Sequence, residues 1–274
     1  MSQLLHNAVS LHYELHGDKG DPVLLIQGVG VIGNGWKPQV DGLAANHRLL
    51  TFDNRGIGQS TAPAGKSLAI EQMADDAAAL VQAVGWDSCH VIGHSMGGVI
   101  AQRLALTHPR RVKSLALLCT VARGADAVRM TPQMTWTGLR TNIGTRAMRR
   151  RAFLELICPK EFLATADCEA LAFELAPLFG HDLAEQPPIA MRQAMALRKH
   201  DCSRELAKLA GMPTLVVSAE HDPIAPPRFG RQLAALIPGA RFVEISAASH
   251  GVPIHRAAEI NPLIAGFIQS AKAG

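Results

Sequence analysis

One hydroxyl stands at an abrupt boundary in the stretch Gly93-His94-Ser95-Met96-Gly97-Gly98. Before it, Cys89-His90-Val91-Ile92 reads as a buried strand; after it, Val99 to Leu106 reads as a mostly buried helix closed before Pro109. Ser95 therefore falls at the hinge. A strand turning this sharply into a helix strains the hinge residue, so neighbours two positions away must lack bulk, as Gly93 and Gly97 do. Such a turn presents the hydroxyl to a cleft, where it can attack a carbonyl carbon. Because a serine hydroxyl is a poor nucleophile at neutral pH, an imidazole base and a carboxylate to orient it are required. Two downstream strand ends supply them. Thr214 to Ser218 runs into a polar turn carrying Asp222 before Pro223, with Glu220 as its near rival. Arg241 to Ile245 is the next strand, with His250 just beyond it and His255 as the nearest competitor. His94 is expected to point away from the serine.

A second glycine cluster, Gly28-Val29-Gly30-Val31-Ile32-Gly33, follows the apolar run Val23-Leu24-Leu25-Ile26 and has the Gly-x-Gly-x-x-Gly form of a dinucleotide loop. Asp53, 25 residues beyond Gly28 and at the end of the next run, stands near where a ribose-binding acid would fall. A pyrophosphate site, however, needs a helix that begins within the glycine loop. Gly33, Asn34, Gly35 and Pro38 delay any such helix. The alternative use of the loop is an oxyanion site: the backbone N–H of Val29 would pair with that of Met96 to hold developing negative charge.

The elements that must position these groups are legible as short continuous apolar runs: Val23 to Ile26, Arg48 to Phe52, Cys89 to Ile92, Ser114 to Cys119, Thr214 to Ser218 and Arg241 to Ile245. Such runs suit strands covered on both faces. Between them, Ile70, Met73, Ala74, Ala77, Leu80, Val81 and Val84 recur at helical spacing up to Gly85. Alternating strands and helices predict an α/β protein with a mainly parallel sheet. The rhythm breaks from Gly124 to Ala210, a stretch without a convincing strand. It is expected to form a helical cap (residues 124–210) inserted into a core made of residues 1–123 and 211–274. Its larger apolar residues, among them Met130, Met134, Trp136, Leu139, Phe153, Phe162, Phe173, Phe179, Met191 and Met195, are expected to pack mainly on one another.

Composition narrows the classes further. In 274 residues nearly half are hydrophobic, which excludes a disordered chain. No run approaches the roughly 18 apolar residues of a membrane span, and the first 22 residues carry His6, His12, Glu14, His16 and Asp18 instead of a signal-peptide core. Cytoplasmic residence, with no membrane partner, is the expectation. The five cysteines are scattered without a Cys-x-x-Cys pair, so neither a disulfide framework nor a zinc site is expected. A net charge of +4 is too small to imply nucleic acid, and Arg149-Arg150-Arg151 reads as a solvated helix face.

With these residues in hand, nearly the whole chain outside the cap region resembles the α/β hydrolase superfamily. The resemblance rests on the Gly93 to Gly98 elbow, on Asp53-Asn54-Arg55-Gly56-Ile57-Gly58-Gln59-Ser60, and on the segments Asp222 to Pro226 and Ile237 to Ala240. The order Ser95, Asp222, His250 matches that family. The resemblance implies an eight-stranded sheet, a catalytic set of Ser95, Asp222 and His250, and a structural role for the Asp53 to Ser60 turn. Two departures stand out: Gln27-Gly28 replaces the His-Gly of many members, and serine at the nucleophile disfavours the dehalogenase and epoxide hydrolase branches, which carry aspartate.

The expected activity is hydrolysis of a hydrophobic carboxylic ester or lactone through an acyl-enzyme on Ser95, without cofactor or metal. Gly28, Val31, Trp36, Met134 and Trp136 are the candidate substrate contacts. On the same three side chains a carbon-carbon bond hydrolase, or a cofactor-free haloperoxidase or perhydrolase, is the alternative. From other classes come a ligand-binding protein on a hydrolase fold and a nicotinamide-dependent oxidoreductase. Homo-oligomerisation stays open.

Overall fold

The structure is a computed structural model that describes residues 2–63, 67–128 and 132–273. Eight strands form one sheet: β1 (Ser2–His6), β2 (Val9–His16), β3 (Asp21–Ile26), β4 (His47–Phe52), β5 (Cys89–His94), β6 (Val112–Leu118), β7 (Thr214–Ala219) and β8 (Arg241–Ile245). Their order is β1-β2-β4-β3-β5-β6-β7-β8, and β2 joins both neighbours antiparallel while the pairs from β4 to β8 are parallel. The six apolar runs are the six parallel strands. The remaining two escape an apolar-run search because they alternate: Val9, Leu11 and His12 are buried while Leu5 and Leu15 face solvent, as in an edge hairpin. Their two-residue turn places Asn7 and Ala8 at positive φ (46° and 61°), the geometry of a type I′ hairpin.

Helices cover both faces: α1 (Lys37–Leu43), α2 (Ile70–Ala83) and α3 (Met96–Thr107) precede β6, six helices lie between β6 and β7 among the described residues, and α10 (Pro227–Leu236), α11 (Val252–His255) and α12 (Ala257–Ala273) follow. The helical spacing from Ile70 materialises as α2, whose Ile70, Met73, Ala74, Ala77, Leu80 and Val81 enter the core shared with α3 and with α10 through Leu233. On the opposite face Val23, Leu25, Ile92 and Leu118 pack with Trp36, Ile260 and Ile264. At about 25 cal/mol per Å² of apolar surface buried, two such layers supply the main driving force for the sheet.

The six intervening helices are α4 (Gly124–Ala127), α5 (Pro132–Arg140), α6 (Arg146–Ile157), α7 (Lys160–Leu163), α8 (Cys168–Phe179) and α9 (Pro188–Lys199). Thr145 caps α6 through Met148 N–H, and Asp167 caps α8 through the N–H groups of Glu169 and Ala170. Leu154, Ile157, Leu163, Leu175, Phe179 and Leu183 form a cluster of their own, against which Val31 and Ile254 pack. Ile189 and Leu197 of α9 instead join the core beneath α2 and α3. The expectation of mutual packing fails for part of the stretch: Trp136, Leu139, Phe162, Phe173, Met191 and Met195 are exposed, and Met130 lies outside the described residues. Arg150 also departs from expectation, because it is buried and paired with Asp182 and Glu169 (2.7 Å to Glu169) instead of facing solvent. All five cysteines are free. No described helix is long and apolar enough to cross a membrane.

Candidate active site

Ser95 lies between β5 and α3 at φ 57°, ψ −121°, a conformation a side chain adopts only under strain of about 1–3 kcal/mol. Three hydrogen bonds hold it there. Ser95 N–H donates to Leu118 O (3.0 Å), while Ser95 O accepts from Gly98 N–H (3.0 Å) and from Thr120 Oγ1 (2.7 Å). The glycine requirement is literal: a Cβ on Gly97 would stand 2.0 Å from Ile26 O, and one on Gly93 would stand 2.3 Å from Gly97 O. The sharp turn thus brings the start of α3 onto the ends of its own strand and of β3.

Asp222, in the turn after β7, and His250, beyond β8, are both buried and joined by a 2.7 Å bond from His250 Nδ1–H to Asp222 Oδ2. The other oxygen, Asp222 Oδ1, accepts the N–H groups of Ile224 (2.8 Å) and Ala225 (2.9 Å). Burial pushes the carboxyl up, but the His250 charge and these hydrogen bonds prevail and leave it below the usual carboxylate range. A carboxylate so held fixes the imidazole proton on Nδ1, which leaves Nε2 free to accept one. His250 and Ser95 line the same cavity. Among the described residues the Ser95 hydroxyl has no hydrogen-bond partner; in unliganded sites such contacts often form only with substrate. The rivals stand apart. Glu220 accepts Ala247 N–H (2.9 Å) at the surface, and the His255 ring takes Ser249 N–H (3.4 Å), burial pushing it down to about 4.

His94 does more than its expected orientation allowed. Its ring lies 4.9 Å from that of His250, and its Nε2–H donates to His250 O at 2.8 Å. Burial and the neighbouring His250 push it down to about 3, so it stays neutral and acts as a fixed donor. Trp36, an expected substrate contact, is fully buried on the far side of His94 with ring centroids 6.4 Å apart; it supports the site and does not line the cavity. Trp136 is likewise corrected: it is 61% exposed and borders separate surface depressions. Gly28, Val31 and Met134 do line the cavity.

That cavity, of about 250 Å³, is walled chiefly by Val29, Val31, Phe153, Leu156, Ile157, Phe179, Leu197, Ile224 and Ile254, with Gln27 and Gln186 as polar points. Phe153 and Phe179 meet edge to face at 5.2 Å. Gln186, Leu197 and Ile224 were not anticipated; only Ile224, two residues past Asp222, carried a positional signal. At its floor, Gly28 passes so close to the serine that a Cβ there would meet Ser95 Cβ at 3.1 Å. Gln27 Oε1 accepts Gly28 N–H (3.1 Å), while among the described residues Val29 and Met96 N–H have no acceptor. Two unengaged donors beside a serine on a strained turn can hold an oxyanion.

The dinucleotide reading loses its acid. Asp53 Oδ1 accepts Gly33 N–H (2.7 Å) and Oδ2 accepts Gln59 N–H (2.9 Å), so the carboxylate braces the glycine loop itself. Only a 3-10 turn, Gly33–Trp36, follows the loop before α1. Arg55 is likewise structural, forming a buried pair with Asp76 (Nη2 to Oδ1, 2.8 Å). One group of metal-ligating types gathers among the described residues: His94, Cys119 and His250, with ligand atoms within 4.8 Å of one another. Both imidazoles already have the partners given above, and burial together with Asp222 pushes the Cys119 thiol up, away from the thiolate that binds metal.

Comparison with known proteins agrees with this fold. A family model described as the alpha/beta hydrolase fold matches residues 21–257. The chain is 31% identical over 257 residues, 94% of each chain, to a protein of Azorhizobium caulinodans named as a carbamate hydrolase, RutD. It is 30% identical over 282 residues, 97% of this chain and all of the other, to one of Mycobacterium tuberculosis named as a non-heme bromoperoxidase, BpoC. Among solved structures, the enol-lactonase of Burkholderia xenovorans superposes with a TM-score of 0.81 at 27% identity, covering 98% of this chain and 100% of the other.

Proposed function

Since the chain belongs to the alpha/beta hydrolase fold family, we propose that it cleaves a compact, uncharged carboxylic ester or lactone through an acyl-enzyme on Ser95. The observation that carries this reading is one apolar cavity lined together by Ser95 on its strained turn, by His250, whose ring Asp222 holds, and by Val29 of the glycine loop. His250 Nε2 takes the hydroxyl proton as Ser95 Oγ bonds to the carbonyl carbon, and the carbonyl electron pair moves onto oxygen, where Val29 and Met96 N–H hold it. Collapse of that intermediate breaks the bond to the leaving oxygen, which takes the proton back from His250. Water, deprotonated in the same way, then releases the acid. Asp222 keeps the imidazole in the required tautomer through both halves.

Substrate charge follows from the walls. Among the described residues no lysine or arginine lines the cavity, so a carboxylate-bearing substrate would be desolvated there without a counter-charge. The relatives' names span carbamate, enol-lactone and peroxide chemistry, all of which a carbonyl-activating serine site serves. Uncharged lining favours a neutral ester or lactone over an anionic one.

A panel of p-nitrophenyl esters graded by acyl length, with neutral lactones and a carbamate ester, run beside Ser95→Ala, tests the proposal. Short to medium acyl chains should turn over best, and Ser95→Ala should lose roughly 10⁴-fold or more in kcat with an unchanged melting temperature. Undiminished turnover in Ser95→Ala would remove the serine from the reaction. Saturable binding without turnover of any ester would favour a ligand-binding protein on this fold.

A further inference from the structure

Gly30 stands one residue beyond the Val29 donor, at φ 71° in the left-handed region, and both of its backbone polar groups are taken by side chains from the helical stretch between β6 and β7. Its N–H donates to Gln193 Oε1 at 2.8 Å, and its carbonyl lies 3.2 Å from Nε2 of His181, whose Nδ1 lies 2.9 Å from Asp182 O. Gln193 is completely buried on α9, and its Nε2 donates to Arg55 O at 3.2 Å. One amide therefore ties α9 to the glycine loop and to the Asp53 to Ser60 turn at once. The Arg55 end is rigid, because that guanidinium is locked on Asp76.

The peptide unit carrying the Val29 N–H lies between two peptide planes, and each plane is held by a glutamine. On one side Gly28 N–H is bound to Gln27 Oε1, and on the other Gly30 N–H is bound to Gln193 Oε1. The direction of Val29 N–H then depends on both anchors, one from the sheet and one from the helical stretch. An oxyanion donor is effective only when it is aimed before charge develops, and a displacement of about 1 Å can cost on the order of 100-fold in rate.

We propose that Gln193 is a positioning residue for the oxyanion donor, assisted by His181, so that docking of α9 on the glycine loop assembles the reactive site. The inference rests on the hydrolase reading. Gln193 touches neither substrate nor Ser95 in this account; it acts through Gly30 on Val29, and its effect falls on the transition state.

The test compares Gln193→Met, which keeps the length of the side chain but has no acceptor for Gly30, with the wild type and with Ser95→Ala. Readouts are kcat and KM on a neutral p-nitrophenyl ester, and inhibition by an alkyl boronic acid, which forms a tetrahedral adduct on the serine. The expected result for Gln193→Met is a fall in kcat of roughly 10- to 100-fold, KM within about twofold, and boronate inhibition weakened by the same factor as kcat. His181→Phe, which keeps its edge contact with Phe179 (6.3 Å) but loses the bond to Gly30 O, should show the same pattern at smaller size and serves if Gln193→Met does not fold. Unchanged kcat in soluble Gln193→Met, or lowered kcat with undiminished boronate affinity, would overturn the positioning role while Ser95→Ala remained inactive. Active Ser95→Ala would instead remove the hydrolase reading, and this inference with it.

Discussion

At the scale of single residues, the site is held by hydrogen bonds, that from His250 Nδ1–H to Asp222 among them, with His94 joining the end of β5 to the His250 backbone. Its depressed basicity has a thermodynamic consequence. The folded protein takes up the His94 proton only near about pH 3, whereas an unfolded histidine takes it up near about 6.5. Between those values the unfolded chain binds the extra proton, so stability is complete above about pH 6.5 and is lost as pH falls through that window. His94→Gln, which retains an N–H donor for His250 O, should therefore flatten the decline of melting temperature between about pH 6 and 4, as thermal unfolding at several pH values would reveal; an unaltered slope would mean that another group dominates. The three residues proposed to react could be nominated because each sits at an element boundary: Ser95 between strand and helix, Asp222 and His250 just past strand ends. The supporting roles of His94 and Cys119 could not be, because the direction of a side chain at a strand end depends on what distant segments bring alongside, which no local pattern encodes.

At the scale of elements, the position of Ser95 is set by how closely α3 crosses the ends of β3 and β5. The obstruction at Gly97 is backbone, Ile26 O, which cannot swing aside as a side chain would. Gly97→Ala should therefore lower the melting temperature and, on the proposed function, the rate on p-nitrophenyl esters together, with loss of both soluble expression and activity as the extreme outcome. Gly85 provides the control: it ends α2 at φ 73° with nothing within 4 Å of an added Cβ. Gly85→Ala should cost only the strain of that conformation, about 1 kcal/mol, with kcat intact. Similar behaviour in the two variants would contradict the crowding argument. Six strands and α2 could be read in the sequence because both depend on burial periodicity within one segment. The hairpin β1–β2 could not, because its strands alternate, with polar residues between the buried ones, and offer no continuous apolar run. The helices between β6 and β7 were anticipated as helices, but the exposed faces of α5, α8 and α9 were not, since which side of a helix is covered depends on its neighbours.

At the scale of the whole molecule, selectivity on the proposed function belongs to the apolar cavity that the sheet ends and the helical stretch make between them. An ester pair differing only by a terminal carboxylate provides a direct measure. The neutral member should exceed the anionic one in kcat/KM by more than about 100-fold, because a desolvated charge without a partner costs several kcal/mol. Near-equal values would require a cation in contact with the substrate. Little of this was written locally: Met134 and Val31 could be nominated, but Gln186, Leu197 and Ile254 reach the same space from distant segments. The sheet order has a last consequence, for the growing chain. Synthesis runs from the N-terminus, and β7 and β8 are made after the other six strands of this sheet and occupy one margin of it. A ribosome that has delivered β1 to β6 has produced the hydroxyl and both backbone donors, yet neither the imidazole nor the carboxylate exists. On the proposed assignment the nascent polypeptide is chemically inert until β7, β8 and the turns after them emerge, and the exposed margin of β6 waits through the translation of nearly a hundred residues for its neighbour.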